Sequence, residues 1–502
     1  MAKFIMANRR AGKFQETEKR ASRASLDMAF AERLEESVTV LGDTRPDNDQ
    51  DRRIIKFEAS AEEVANKIKE LPPDVIIEPE ILHYPLAGPR FHSTWLPFVA
   101  GAQPLDAGAG MSLRVHVTGS GNDIAGATLT LYLRGALGRS IKKTLITPAS
   151  GTVSFDYNAF WSPTALVILP AGNFWSYVVR GPVDPVSIEL PPLPTEGELG
   201  WWHRALGISS FDSDLGRPIR VGVIDSGCGP HPYLSHVTDA GAFLDGVEHP
   251  NQGADVDSHG THVCGTIGAR PDPGSNNYGG IAPGVDLICA RVFPPDRGAD
   301  QGDISNAIDA LSKTHQVDLI NMSVGADQGS EIARDAIIDA LERGTLCICA
   351  AGNSAGPVEY PAAFAETVAV AAIGLEGWGP EGTLTAGRYP QETEKYGNDN
   401  FYLSNFSCFG DTIDCCAPGV GIIATVPERH GLTEPSGVMD GTSMASPVVC
   451  GALAAILAAD QAYLSMPRNV ARSEQARAIL RARCRDLRLA ARYQGRGIPQ
   501  VF

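Results

Sequence analysis

The sequence predicts an α/β fold for residues 193–502, in which helices cover both faces of a parallel sheet. The first observation is a series of continuous apolar runs, a pattern typical of strands that are buried on both faces. These runs are RPIRVGVID, VDLICARV, VDLINMSVG, TLCICAAGN and TVAVAAIG. The second observation is that helical patterns alternate with them, namely GDISNAIDALSKTH, SEIARDAIIDALERG and SPVVCGALAAILAAD. In such a sheet, a functional site is expected at the carboxyl ends of the strands.

The chain of 502 residues is too long for one ordinary core, so we expect further domains before residue 193. Residues 1–35 are predicted to form a charged helical extension, because FQETEKRASRASLDMAFAERLEE has a helical pattern. Residues 36–85 predict a small α+β domain, with strands at SVTVLG and RIIKFEA. Its helix follows Ser60, and Glu63 completes a capping box with that serine. The stretch DVIIEPEILHY is then extended again.

Residues 86–192 have a different sequence pattern, which predicts an antiparallel β-sandwich. Their apolar runs are short, alternating and rich in β-branched residues, and Gly or Pro stands between them. The runs are MSLRVHVTG, ATLTLYLRG, GTVSFDYNAF, ALVILPAG and FWSYVVRG.

Composition and charge exclude several classes of function. The net charge of -17 would repel nucleic acid and anionic lipid, so we expect neither as a partner. No stretch reaches the roughly 18 apolar residues of a membrane span, and the N-terminus has no secretory signal pattern. The ten cysteines lie between Cys228 and Cys484, many within apolar runs, which favours free thiols in a reducing cytoplasm. Their spacing does not predict a metal site, and we expect no cofactor.

Three positions in the last domain carry side chains that act together in nucleophilic catalysis. Asp225 ends a strand before a Gly turn, His259 precedes a helix of small residues, and Ser443 begins a long apolar helix. A serine hydroxyl becomes a nucleophile when a histidine takes its proton, and a buried carboxylate orients that histidine. Asn353, in the turn CAAGNSAG, can donate a hydrogen bond to a developing oxyanion, as can the backbone N–H of Ser443. His262 lacks a zinc-site spacing and is interpreted as structural.

From about Trp201 to Gln500 the chain resembles the subtilase family, peptidase S8. Besides the segments above it shares NNYGGIAPGVDL, INMSVG, EYPAAFAETVAVAAIG, SNFSCFG, CAPGVGIIAT and GTSMASP in family order. The order Asp, His, Ser also matches. The resemblance implies a subtilisin-like sheet and a serine endopeptidase that hydrolyses polypeptides through an acyl-enzyme. Its triad would be Asp225, His259 and Ser443, with Asn353 in the oxyanion hole.

By position, the resemblance also implies how a substrate lies in the cleft. Two extended segments would pair with the substrate backbone as an added strand, Ser323-Val324-Gly325 and Ala350-Ala351-Gly352. Glu359 precedes the Tyr-Pro motif at the base of the S1 pocket, where many relatives carry a small residue. A partly dry carboxylate needs a partner, so we expect a preference for Lys or Arg at P1. The alternative is that Glu359 turns to solvent or pairs internally.

Two further features depart from the family pattern. Tyr233 stands where many subtilases have an aspartate that binds a structural calcium ion, so we expect that site to be absent.

Residues 36–84 resemble the subtilase propeptide, an intramolecular inhibitor whose tail would end at Tyr84. Because Pro85 follows, the bond after Tyr84 should resist cleavage. The zymogen is then cut elsewhere, or the pro-segment stays attached as a regulatory latch.

Two other functions remain open at the level of sequence. The first is a latent or pseudo-protease that acts as a partner-binding protein through its β-sandwich. The second is a hydrolase or acyl transferase that acts on other esters or amides. The sandwich itself could bind a partner, position substrate or brace the pro-segment.

Overall fold

The structure is a computed structural model that describes residues 1–9, 38–44, 52–69, 71, 75–86, 110–135, 138–195, 197–295 and 297–502. The N-terminal unit, up to residue 86, contains one helix among its described residues. Its elements are β1 (Ala2–Asn8), β2 (Thr39–Thr44), β3 (Ile54–Ala59), α1 (Ala61–Ile68), β4 (Val75–Pro79) and β5 (Leu82–Pro85). The first four strands form one antiparallel sheet in the order β2-β3-β1-β4. At the start of α1, Ser60 and Glu63 form the predicted capping box.

Strand β1 corrects the prediction of a helical extension over residues 1–35. It lies in the middle of the sheet because its alternating side chains bury two faces. Phe4 and Met6 pack with the core beneath α1. Ile5 and Ala7 pack on the opposite face, against Ile332 of the C-terminal unit. The part of the predicted helix at residues 14–36 lies outside the described residues.

Residues 110–192 form two facing sheets. Their strands are β6 (Gly110–Gly119), β7 (Asn122–Asp123), β8 (Thr128–Gly135), β9 (Ser140–Ile146), β10 (Thr152–Asn158), β11 (Trp161–Leu169), β12 (Tyr177–Arg180) and β13 (Val186–Leu190). One sheet has the order β10-β6-β13 with β7 beside β6, and the other has the order β12-β11-β8-β9. Alternating residues of β6 and β8 meet in a shared core. The prediction of a wholly antiparallel arrangement is wrong at one pair, because β13 runs parallel to β6.

The C-terminal unit follows. Its strands are β14 (Arg220–Asp225), β15 (Thr238–Leu244), β16 (Val247–His249), β17 (Asp286–Arg291), β18 (Ala299–Asp300), β19 (Leu319–Met322), β20 (Val324–Gly325), β21 (Leu346–Ala350), β22 (Val368–Leu375), β23 (Phe401–Leu403), β24 (Ile413–Pro418), β25 (Ile422–Thr425), β26 (Ser436–Met439), β27 (Cys484–Arg485) and β28 (Ile498–Pro499). Its helices are α2 (Trp201–Ala205), α3 (His259–Gly268), α4 (Gln301–Asp309), α5 (Glu331–Glu342), α6 (Thr442–Ala458), α7 (Gln461–Leu464), α8 (Val470–Ala482) and α9 (Ala491–Gln494). A π-helical turn at Ala310–Thr314 continues α4, and short 3₁₀ turns occur at Pro232–Leu234, Thr385–Gly387 and Thr393–Lys395.

The main sheet of this unit has nine strands in the order β16-β15-β17-β14-β19-β21-β22-β23, with β24 also paired to β22. Seven of them are parallel, and only β16 and β23 pair antiparallel with their neighbours. Helix α3 packs with α6, and α4 packs with α5. Helix α6 is apolar all round and is buried against the central strands, as expected for a helix in the core of a large domain. The unit is therefore an α/β fold with a mixed sheet.

The sandwich is fixed to the C-terminal unit by backbone and ring contacts. The N–H of Asn173 donates to the Ser436 carbonyl at 2.6 Å, and the Asn173 side chain accepts from the Ser436 N–H at 3.0 Å. The Trp175 ring lies 5.7 Å from that of Trp378, edge to face. Trp175 thereby joins the core of the C-terminal unit. Among the described helices, none has both the length and the apolarity that crossing a bilayer requires.

Candidate active site

Asp225 and His259 form a buried hydrogen-bonded pair at the carboxyl end of the central strand β14. The Nδ1 atom of His259 lies 2.6 Å from Oδ1 of Asp225, and both side chains are almost fully buried. His259 is the first residue of α3, and the N–H of Gly260 donates to Ser226 Oγ at 2.9 Å. A Cβ atom at Gly260 would lie 2.1 Å from the Gly227 carbonyl oxygen. The glycine therefore allows the close approach of helix and loop that pairs the two side chains.

The environment of His259 favours its protonated form. Burial lowers the pKa of His259, but the charge of Asp225 and its hydrogen bond outweigh burial and raise the pKa overall. The Nε2 atom of His259 has no hydrogen-bond partner among the described residues. It is thus available for a proton from another group.

Ser443 lies in the first turn of α6, where a proline in the same helix changes the hydrogen bonding of its carbonyl group. Pro447 has no N–H to donate to the Ser443 carbonyl four residues before it. That carbonyl accepts instead from the hydroxyl of Ser323 at 2.9 Å. In return, the Ser443 hydroxyl donates to the Ser323 carbonyl at 2.9 Å. The nucleophile predicted from the sequence is therefore bonded to the cleft wall here, and not to His259.

Asn353 and the Ser443 N–H converge on one carbonyl oxygen, that of Leu86. The Oδ1 atom of Asn353 accepts from the N–H and the hydroxyl of Thr442, both at 2.9 Å. This fixes the orientation of the amide, so its NH₂ group donates to the Leu86 carbonyl. The N–H of Ser443 points to the same oxygen at 3.4 Å. The two donors have the arrangement that stabilises an oxyanion.

The chain before Leu86 lies in the cleft as an added strand. Strand β5 pairs antiparallel with β20 on one side and with β18 on the other. The N–H of Leu86 donates to the Ser323 carbonyl at 3.2 Å. The prediction that the tail ends at Tyr84 is therefore corrected by two residues, because Leu86 is the residue that reaches the oxyanion donors.

Only one of the two segments expected to pair with a substrate backbone pairs with β5 in this structure. Ser323, Val324 and Gly325 contact β5 or Leu86 through the main chain. The opposite wall is Ala299–Asp300, whereas Ala351 exchanges backbone hydrogen bonds with Val370 and Glu359. Ala350 belongs to the main sheet, and Gly352 lines the pocket below Leu86. The sequence at Ala299–Asp300 is too short and polar to indicate a strand, so only the structure reveals this wall.

The side chain of Leu86 is fully buried in a pocket that two glycines leave open. A Cβ atom at Gly325 would lie 2.7 Å from both Leu86 Cδ1 and Glu359 Oε2. A Cβ atom at Gly352 would lie 2.7 Å from Glu359 Cδ. Glu359 is 4% exposed, its Oε2 atom has no hydrogen-bond partner among the described residues, and the Cys408 thiol is 3.9 Å from Oε1. The carboxylate therefore faces the pocket rather than solvent.

Two residues discussed from the sequence have structural contacts. His262 is buried, its Nε2 lies 3.0 Å from the Ile422 carbonyl, and burial lowers its pKa to about 3. The hydroxyl of Tyr233 donates to Glu434 at 2.7 Å and accepts from Asn277 at 2.9 Å. Within the described part of the chain, no three His, Cys, Asp or Glu side chains converge as metal ligands would.

Comparison with known proteins gives one family match and many relatives. Residues 216–497 match the model of the subtilase family, Peptidase_S8. The chain is 32% identical over 291 residues to the minor extracellular protease Epr of Bacillus subtilis, covering 57% of this chain and 38% of that protein. It is 32% identical over 292 residues to the major intracellular serine protease of the same species, covering 56% of this chain and 81% of that protein. With subtilisin E, also from B. subtilis, it shares 35% identity over 251 residues, covering 48% of this chain and 56% of the relative.

The alignments thus span from 38% to 81% of these relatives' lengths. The family match covers more than half of the chain and includes Asp225, His259, Asn353 and Ser443. The resemblance predicted from the motifs is confirmed, and the chain belongs to the subtilase family of serine peptidases.

Proposed function

We propose that the chain is a serine endopeptidase that hydrolyses peptide bonds through an acyl-enzyme. The observation that carries this proposal is the position of Leu86. Its carbonyl oxygen accepts from Asn353 and from the Ser443 N–H, as the carbonyl of a scissile bond must. The Asp225–His259 pair lies beside it, with Nε2 free to take a proton.

In the proposed mechanism, the Ser443 hydroxyl first rotates away from the Ser323 carbonyl towards His259. It attacks the carbonyl carbon while His259 Nε2 takes its proton, and Asp225 stabilises the imidazolium. Asn353 and the Ser443 N–H hold the oxyanion. His259 then gives the proton to the leaving amine, and the C–N bond breaks to leave the acyl-enzyme. Water repeats the sequence, so that the acid is released and the Ser443 hydroxyl is restored.

The N-terminal unit is proposed to be an intramolecular inhibitor of this site, so that the full chain is a zymogen. Strand β5 and Leu86 block the cleft along both of its walls. In this register Leu86 is at P1, and the bond to be cut in maturation is Leu86–Ala87. If this bond remains intact, the N-terminal unit acts as a retained regulatory latch.

Glu359 is proposed to select Lys or Arg at P1. A buried carboxylate with an unpaired oxygen is costly, and a basic side chain in the pocket would remove that cost. Leu86 fills the pocket without neutralising Glu359. A basic substrate would therefore gain an interaction that the chain's own segment does not make.

A peptide library cleaved by the purified chain and analysed by mass spectrometry tests these proposals, with Ser443→Ala as the control. Cuts after Lys or Arg that are absent from the control support both the activity and the role of Glu359. Cuts after other residues retain the endopeptidase and refute the basic preference. No cuts by the full chain would be expected of a latched zymogen, whereas no labelling of Ser443 by a fluorophosphonate under any activating condition would favour a latent protein that binds a partner through its sandwich. Turnover of small esters without peptide cleavage would favour the other hydrolase.

A cytoplasmic location is also proposed. It is supported by the ten free cysteines, eight of them buried, and by similarity to a relative named as intracellular. Another relative is named as extracellular, so the thiols are the stronger argument. Fractionation of cells that express the chain tests this location: recovery outside the cytoplasmic fraction would refute it.

A further inference from the structure

A cavity of about 620 Å³ lies between the sandwich and the C-terminal unit and opens onto His259. The sandwich side is lined by Thr128, Ile146, Leu169 and Phe174, and the facing side by Leu384, Val438 and Met439. The opening also includes Tyr84 and Pro85 of the strand in the cleft. The cavity is therefore continuous with the substrate cleft, and a third of its lining residues come from the sandwich, a domain outside the subtilase match.

The position of His259 decides which part of a substrate this cavity can receive. The histidine that activates Ser443 must afterwards protonate the leaving amine, so the residue after the scissile bond begins next to its ring. The P1 side chain points elsewhere, into the pocket of Gly325, Gly352 and Glu359, none of which lines the cavity. We propose that the sandwich forms one wall of the leaving-group side of the cleft and selects apolar side chains at the first two positions after the scissile bond.

The lining favours an apolar side chain over a charged one. Ile146 is 60% exposed at the end of β9, and its burial by a substrate would be favourable. The ring of Phe174 is held in place against Gly119, where a Cβ atom would lie 2.4 Å from the ring. Two cations in the lining are already engaged, Arg388 with Asp440 at 3.0 Å and Arg429 with the Asp255 carbonyl at 3.0 Å. The sandwich side of the cavity is thus mainly apolar, and Phe174 is held in a fixed position there.

This inference rests on the proposed function, and two kinds of substrate allow the inference and that function to be tested separately. The first is a peptidyl methyl ester, whose leaving group, methanol, is too small to reach the sandwich wall. The second is a set of internally quenched peptides with the same residues before the scissile bond and Leu, Lys or Glu at either of the two positions after it. The full chain is incubated until its activity is constant, and kcat/KM is then measured for each substrate.

The informative variants are Ile146→Asp and Ile146→Lys, with Phe160→Asp as the matched control. Phe160 is 57% exposed in the same domain and does not line the cavity. We expect both Ile146 variants to lower kcat/KM for the Leu peptides about tenfold, as the loss of one apolar contact predicts. The Asp variant should favour the Lys peptides and the Lys variant the Glu peptides. The methyl ester should be hydrolysed as fast as by the parent, because its leaving group does not contact the sandwich wall.

Equal losses on the methyl ester would overturn the inference, since the wall would then act on residues before the bond or on folding. Unchanged profiles for all peptides would also overturn it. A chain that hydrolyses no substrate and is not labelled at Ser443 under any activating condition would refute the proposed function, and the inference with it.

Discussion

At the scale of single residues, the pair of Asp225 and His259 sets how activity should depend on pH. The charge of Asp225 raises the pKa of His259 in spite of its burial. Because the base must be neutral to accept the Ser443 proton, activity falls as the pH drops through this raised pKa. We therefore expect the acid limb of kcat/KM above about pH 6.5, the ordinary value for histidine.

The profile is measured with a small substrate between about pH 5 and about pH 9, where histidine changes its charge. Asp225→Asn is the informative variant. It removes the charge that raises the pKa, so the acid limb should move to lower pH, and kcat should fall by about 10⁴ because the imidazole loses its orienting partner. An acid limb that stays in place in this variant would contradict the assigned cause.

The amide of Asn353 is expected to act on the transition state more than on substrate binding. Its NH₂ group reaches the carbonyl oxygen only because Thr442 holds the other end of the amide. Asn353→Ala should lower kcat by about 10²–10³ and leave KM nearly unchanged, as loss of one oxyanion donor does. Steady-state kinetics checks this, with Asn398→Ala at an exposed asparagine as the control. A change confined to KM would assign Asn353 to binding alone.

At the scale of secondary-structure elements, the strand in the cleft carries a buried histidine with a pH-dependent cost. His83 on β5 is 2% exposed, its Nδ1 has no hydrogen-bond partner among the described residues, and burial lowers its pKa to about 4. The unfolded chain therefore binds this proton more readily than the folded one. The contribution of buried, neutral His83 to the free energy of unfolding is complete above about pH 6.5. It is lost progressively as the pH falls towards about 4.

Ser443→Ala and the double variant Ser443→Ala/His83→Gln are compared by thermal unfolding, since neither can cut itself. When the pH is lowered from about 7.5 to about 5.5, the lowered pKa of His83 should reduce the free energy of unfolding of the single variant by about 1.4 kcal/mol. The double variant lacks this cost, so its unfolding midpoint should fall less. Other buried histidines, such as His203 and His262, contribute equally to both proteins. Equal losses in the two proteins would refute the role of His83.

The elements also show how far the sequence could predict the fold. The strands and helices around Asp225, His259 and Ser443 were predictable because each buried run is long and each motif has a chemical reason. Strand β1 was missed because its short apolar run precedes a charged stretch, and only the sheet shows that both of its faces are buried. Leu86 and the wall at Ala299–Asp300 were missed because main-chain pairing, which any side chain permits, places them in the cleft.

At the scale of the whole molecule, the three units meet around the carbonyl group of Leu86. The C-terminal unit contributes the Asp225–His259 pair and the donors that reach Leu86, strand β5 of the N-terminal unit lies between β18 and β20, and the sandwich lines the cavity beyond His259. Blocking the cleft therefore depends on how firmly the N-terminal unit is held. Buried ion pairs across that contact are the strongest candidates, because removing one partner leaves the other charge unpaired.

Lys56 is the central cation of that contact. Its Nζ lies 2.6 Å from Asp300, 3.0 Å from Asp245 and 2.8 Å from Glu80, and its side chain is 1% exposed. Burial lowers the pKa of Lys56, but Asp300 and the other carboxylates outweigh burial and raise it overall, so the side chain stays charged. Asp300 also caps α4 and lies in the cleft wall that pairs with β5. The same carboxylate thus links the ion pair to the blocked site.

Lys56→Met leaves the buried carboxylate of Asp300 without its cation, which should weaken docking of the N-terminal unit by about 3–5 kcal/mol. The open fraction of the site, and with it the initial rate of peptide hydrolysis by the full chain, should rise by at least about 100-fold unless the parent is already largely open. Labelling of Ser443 by a fluorophosphonate should rise in parallel, which separates opening of the cleft from a change in catalysis. Lys69→Met removes an exposed lysine from the same unit and should leave both rates unchanged. If the Lys56 variant folds but is labelled no faster than a slowly labelled parent, the block depends on the strand in the cleft and not on this ion pair.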